Sequence, residues 1–175
     1  VYEWWVRTFP QAEFKYVNAG IGGTTSQFGV ARAQDDLLDA EPDFVIAEFS
    51  VNDESTGHFE ETYEGLVRKI LSSKSHPALM IVHNVCYNNG ASAELVHSRI
   101  ARHYNIPSVS MQSTLYKALL NCRFDNRRIT PDDLHPNDCG HELVSMVITK
   151  RLEQIKNTVK AEYETAKSQR AAAQP

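Results

Sequence analysis

The chain has 175 residues, 42% of them hydrophobic and 23% charged, which is the composition of one globular domain with a sizeable core. A net charge of −4 leaves no basic footprint for nucleic acid. No apolar run approaches the roughly 20 residues that a helical membrane span requires.

Three cysteines, Cys86, Cys122 and Cys139, show no CxxC spacing, which argues against a zinc site or a disulfide framework. The expectation for them is small buried thiols. With no N-x-[ST] acceptor either, the chain fits a reducing compartment. Val1–Pro10 reads as a helix already under way and shows no signal-peptide pattern, and the address expected from the cysteines is the cytoplasm.

Strand-like and helix-like segments alternate. Phe14–Asn18 is a short β-prone run ending in a glycine-rich loop, and Ser26–Ala40 has helical apolar spacing closed by Pro42. Phe44–Ser50 is apolar nearly throughout, as in a strand covered on both faces. Phe59–Ser72 is predicted as a helix with Tyr63, Leu66, Val67, Ile70 and Leu71 on one side. Ala78–Val85 is another buried strand, Ser92–Tyr104 a helix, Pro107–Met111 a fourth strand and Ser113–Asn121 a helix.

A last helix is expected to start at Pro136, a residue suited to the first helical position. Its apolar stripe runs through Leu143, Val144, Val147, Ile148, Leu152 and Ile155. The expected division is therefore a domain over residues 1–155 and a polar helical tail or linker over 156–175. Four strands each followed by a helix imply a parallel sheet in an α/β domain. A helix at the very start invites a preceding strand, so the chain reads as opening one strand late.

Three short motifs carry chemistry. Asn18–Ser26 (NAGIGGTTS) and Ser50–Asp53 (SVND) each follow a strand, and Asp132–Asn137 (DDLHPN) precedes the last helix. Sites in parallel sheets form at the carboxyl ends of strands, so these loops converge on one rim.

Gly20, Gly22 and Gly23 either make a tight strand-to-helix turn or aim backbone N–H groups at a developing oxyanion. No Lys follows them, so the loop is not a P-loop, and it does not match G-x-G-x-x-G. Asn52 is either an Asx-turn cap or a neutral oxyanion donor, and Asp53 is expected to hold the loop.

Among seven histidines, His135 stands out because Asp132 lies three residues earlier. On a turn, that spacing lets the carboxylate fix the imidazole tautomer and support an imidazolium. Asp133 is the competing partner. His58, His76, His83, His97, His103 and His141 lack metal-ligand spacing and read as solvated or core residues. His83, Asn84 and Tyr87 are secondary candidates for lining a pocket.

These motifs resemble the SGNH/GDSL hydrolases, a superfamily of esterases, lipases and carbohydrate deacetylases. The resemblance covers most of Val1–Leu152. It implies a three-layer α/β/α, flavodoxin-like architecture, with Gly23 and Asn52 as oxyanion donors and Asp132–His135 completing a catalytic triad. It implies no metal or organic cofactor, and a small acyl ester, such as an acetylated carbohydrate, as substrate.

The family's Gly-x-Ser block, which follows its first strand, has no counterpart in the chain, and neither Ser26 nor Ser50 sits in a G-x-S-x-G elbow. The expectation is a domain lacking that strand, with its nucleophile upstream of Val1. In the family topology the strand lies between those matching Phe14–Asn18 and Phe44–Ser50. Two rivals remain at this level: a binding or scaffold domain that lost its nucleophile, and a flavodoxin-like nucleotide binder using the glycine loop.

Overall fold

The computed structural model describes residues 1–172. A three-stranded parallel sheet is made by β1 (Phe44–Ala47), β2 (Ala78–His83) and β3 (Ser108–Ser110), in the order β1-β2-β3. Ile46 pairs with Met80, and Ile81 with Ser108. One face carries α2 (Ser26–Asp36), α3 (Gly57–Leu71) and α4 (Glu94–His103). The other carries α1 (Tyr2–Thr8), α5 (Lys117–Leu120) and α6 (Asp138–Ala172). This is the layered α/β architecture that the alternating pattern predicts.

Successive side chains of a strand point to opposite faces, and β2 uses this to build two cores. Leu79 and Ile81 join Val45, Ala47, Leu66, Val67 and Ile70 on the α3 side. Met80 and Val82 join Met111, Ile129, Ile148 and Leu152 on the α6 side. The stripe Tyr63, Leu66, Val67 and Ile70 is buried because those positions share one face of α3. The Thr56 hydroxyl, accepting from the Phe59 amide, caps that helix.

Several expected boundaries move. Phe14–Asn18 is not a strand: a strand is held by a neighbouring backbone, and β1, an edge strand, makes no ladder with it. Coverage on both faces of β1 also fails, since Ile46 stays 38% exposed. The Ser26–Ala40 helix breaks after Asp36 into a 3-10 turn at Leu38–Ala40, ended by Glu41 at φ 48°. Ahead of α5, a π-helical segment occupies Gln112–Tyr116.

The last helix begins at Asp138 rather than Pro136. Asn137 Oδ1 accepts the Gly140 amide at 3.0 Å, so Asn137 is the cap and Pro136 lies outside. The helix continues unbroken past Ile155 to Ala172 and is exposed over 157–170. Residues 173–175 of the expected tail lie outside the described residues.

The cysteines are not buried thiols. Cys122 and Cys139 are exposed and Cys86 is half-buried, all three free. Cys139 lies in the first turn of α6 and Cys122 in the turn after α5, at φ 52°, so neither reaches a core.

Candidate active site

Asp132 and His135 are in direct contact. Asp132 Oδ2 lies 2.7 Å from His135 Nδ1, while Oδ1 accepts the backbone amides of His135 at 2.8 Å and Leu134 at 3.1 Å. The imidazole, followed by those two amides, holds the Asp132 carboxyl well below the usual carboxylate range. It therefore stays ionised at neutral pH and binds His135 as the Nδ1–H tautomer. Nε2 is left as an acceptor for a substrate or nucleophile proton. Both side chains face solvent.

Asp133 does not compete for the imidazole. Its carboxylate accepts from the Asn126 amide and the Arg127 guanidinium, and its backbone adopts φ 70°. Thr130, fully buried, holds the other side of the turn: its Oγ1 accepts the Asp132 amide at 3.3 Å and lies 3.2 Å from Asp132 Oδ1.

Gly23 is exposed with φ 70°, a left-handed conformation that favours glycine, and lies in the turn just before α2. Asn52 is half-buried in the turn after β1, its amide donating to Phe49 O at 3.1 Å. Asp53 holds the loop as expected, and does more. Its Oδ1 accepts the Ser26 amide at 2.8 Å, and its Oδ2 lies 3.0 Å from His97 Nε2.

Among the described residues, no hydrogen bond joins Gly23, Asn52 and His135 to one another directly. The segments that carry them are nonetheless linked. Asp53 ties the Asn52 turn to the helix behind the glycine loop. Ser50 Oγ lies 3.0 Å from Asn84 O, Tyr87 Oη donates to Asn84 Oδ1 at 3.3 Å, and the Tyr87 amide to Asp133 O at 2.7 Å.

Neither serine inside the motifs is available as a nucleophile. Ser26 and Ser50 are both fully buried. Ser26 Oγ pairs with Thr62 Oγ1 at 2.8 Å, and Ser50 Oγ donates to Glu48 Oε1 at 2.6 Å.

Sequence reasoning missed Glu48. Its carboxyl sits just after β1, bonded by both the amide and hydroxyl of Ser50, and burial pushes it above the ordinary range despite those bonds. The signal was a lone acid in the apolar run FVIAEFS. His83 and Tyr87 lie in the interior, 1% and 2% exposed, while Asn84 is half-buried. Burial, then the His97 charge, lowers His83 to about 4. Burial, then the Glu48 charge, raises the Tyr87 hydroxyl to about 12. The described residues contain no group of three or more side chains suited to hold a metal ion.

Residues 2–143 match the profile described as the GDSL-like Lipase/Acylhydrolase family. The thioesterase 1/protease 1/lysophospholipase L1 of Escherichia coli strain K12 is 26% identical over 158 residues, covering 84% of this chain and 71% of that protein. A two-domain esterase active on acetylated mannans, crystallised with mannopentaose, is 70% identical with a TM-score of 0.87. The match covers 89% of this chain and 43% of that one, so this chain spans less than half of that esterase. An acetylxylan esterase from Geobacillus stearothermophilus shares the fold at a TM-score of 0.69 and 19% identity, over 86% of this chain and 77% of its own.

Proposed function

Because the chain belongs to the GDSL-like lipase/acylhydrolase family, we propose that it carries the acid/base and oxyanion half of a serine ester hydrolase. The observation that carries this reading is the Asp132–His135 pair, whose geometry leaves Nε2 free to take a proton. A serine outside this chain supplies the nucleophile. The burial of Ser26 and Ser50 supports that assignment.

In the proposed reaction the serine hydroxyl attacks an ester carbonyl while His135 Nε2 removes its proton. Asp132 keeps the ring oriented and stabilises the imidazolium. The Gly23 amide and Asn52 side chain donate to the oxyanion, where charge appears in the transition state. His135 then protonates the leaving alkoxide, and water, activated by the same imidazole, releases the acid. No step calls for a metal or organic cofactor.

Acetyl esters of carbohydrates are the proposed substrates. The 70% identity to an esterase active on acetylated mannans supports this choice over long acyl chains.

The test is para-nitrophenyl acetate hydrolysis by this chain beside the same chain extended by the segment that its own gene encodes upstream. Activity confined to the extended protein, and released acetate from acetylated mannan, is the expected result. Activity in both would put the nucleophile inside this chain. Inactivity of a folded extended protein would overturn the enzyme reading in favour of a binding domain.

A further inference from the structure

Beneath the Asn52 turn lies a polar pair that the proposed chemistry does not use. The side chains of His97 and Asp53 are both 0% exposed, with Nε2 and Oδ2 3.0 Å apart. His97 comes from α4, 44 residues beyond Asp53, and its ring stacks on Tyr63 of α3 with centroids 3.7 Å apart and planes 12° off parallel. The second oxygen of Asp53 holds the amide of Ser26, the first residue of α2.

Asp53 directly follows Asn52, and Ser26 lies three residues after Gly23. One carboxylate thus spans the two segments that carry the oxyanion donors. A buried carboxylate keeps a fixed position only when its charge and lone pairs are matched, and His97 meets the oxygen that Ser26 does not. The imidazole is itself held by stacking rather than by a flexible stem.

We propose that His97 is a positioning residue of the ester hydrolase, acting through Asp53 to hold the Asn52 turn and the glycine loop in register. The inference rests on the reading of Asn52 and Gly23 as oxyanion donors. Displacing a reacting group by about 1 Å typically costs about 100-fold in rate, so a loosened register reads out in turnover rather than in binding.

The experiment uses the extended, ester-hydrolysing protein. His97→Phe keeps the stack on Tyr63 and removes the donor. It should lower kcat on para-nitrophenyl acetate about 10- to 100-fold with KM within about twofold. His97→Gln, which restores an N–H near Nε2, should recover most of the loss. In a cycle with Asn52→Ala, the combined loss should fall short of the sum of the two, because part of the His97 effect passes through the Asn52 donor and the rest through the glycine loop.

A second pair of variants attacks the other end of the link. Ser26 is the first helical residue and Thr25 before it is extended, at φ −93° and ψ 169°, so the backbone there admits proline, whose Cδ would take the place of the amide hydrogen and push Asp53 Oδ1 away. Ser26→Pro deletes the amide that Asp53 holds, and Ser26→Ala keeps it, while both lose the contact to Thr62. Ser26→Pro should be at least about tenfold slower than Ser26→Ala.

Amide exchange provides a readout that needs no activity: His97→Phe should accelerate exchange at Ser26. Unchanged exchange at Ser26, additive losses with Asn52→Ala, or equal rates for the two Ser26 variants would each overturn the role of His97. An inactive but folded unsubstituted protein would instead overturn the ester-hydrolase reading, leaving the exchange result to judge the link itself.

Discussion

One oxygen of Asp132 accepts the His135 backbone amide at 2.8 Å and the other lies 2.7 Å from its Nδ1, so a single carboxylate fixes both turn and ring. The two tasks separate by mutation. In the extended protein, His135→Ala removes the proposed proton acceptor and its bond to Asp132 Oδ2 but keeps the backbone bonds of the turn, so it should lower kcat about 100- to 10,000-fold with little change in melting temperature. Asp132→Ala should do both, slowing turnover and loosening the loop, which amide exchange at Leu134 and His135 would register. Near-normal turnover in His135→Ala would remove it from the mechanism.

Asn52, the proposed oxyanion donor, sits in a turn whose backbone is already bonded to Phe49 O. Asn52→Ala should therefore leave the fold unchanged and lower kcat by about 100- to 1,000-fold, the usual consequence of losing one oxyanion donor. Steady-state kinetics on para-nitrophenyl acetate decide this. A rise in KM at constant kcat would make Asn52 a substrate-binding residue instead.

The parts legible in the sequence were those whose physics is local. The spacing of Asp132 and His135 sets one turn, and the period of Tyr63, Leu66, Val67 and Ile70 sets one helical face. Phe14–Asn18 was misread because a strand depends on a neighbour that lies elsewhere in the chain. Pro136 suggested a helix start, but the side chain of Asn137, reaching the Gly140 amide, moved it two residues on. His97 looked like any core histidine, since its partner Asp53 lies 44 residues away and no spacing connects them.

Gly140 shows how tightly the loop that carries Asp132 and His135 is docked on α6. A Cβ built there would lie 2.2 Å from the carbonyl oxygen of Ile129 and 2.9 Å from Pro136 Cβ. The first obstacle is backbone, which cannot rotate away, so the requirement for glycine is close approach. Gly140→Ala should destabilise the chain by about 1–3 kcal/mol, as overpacking does, although alanine is the better helix former. Urea unfolding measures it. A gain in stability, the result expected from helix propensity alone, would contradict this packing.

His83 makes an opposite prediction, in which a substitution helps, and does so through pH. The ring is buried, neither nitrogen has a hydrogen-bond partner among the described residues, and its pKa falls from 6.5 to about 4. The folded state therefore holds the neutral ring, whereas the unfolded chain takes up a proton below pH 6.5. Stability from this group is fully present above pH 6.5 and is lost as pH falls toward 4, by about 1.4 kcal/mol per pH unit. Glu48 slopes the other way: its raised pKa favours the folded state at low pH, and that advantage fades as pH rises above 4.5. Comparing His83→Leu with the unsubstituted chain cancels the Glu48 contribution. Leucine loses no hydrogen bond there, so relative to its effect at pH 7.5 the substitution should gain about 2 kcal/mol at pH 5. Chemical denaturation at the two pH values decides the matter, and parallel stability curves would mean that His83 is not held neutral.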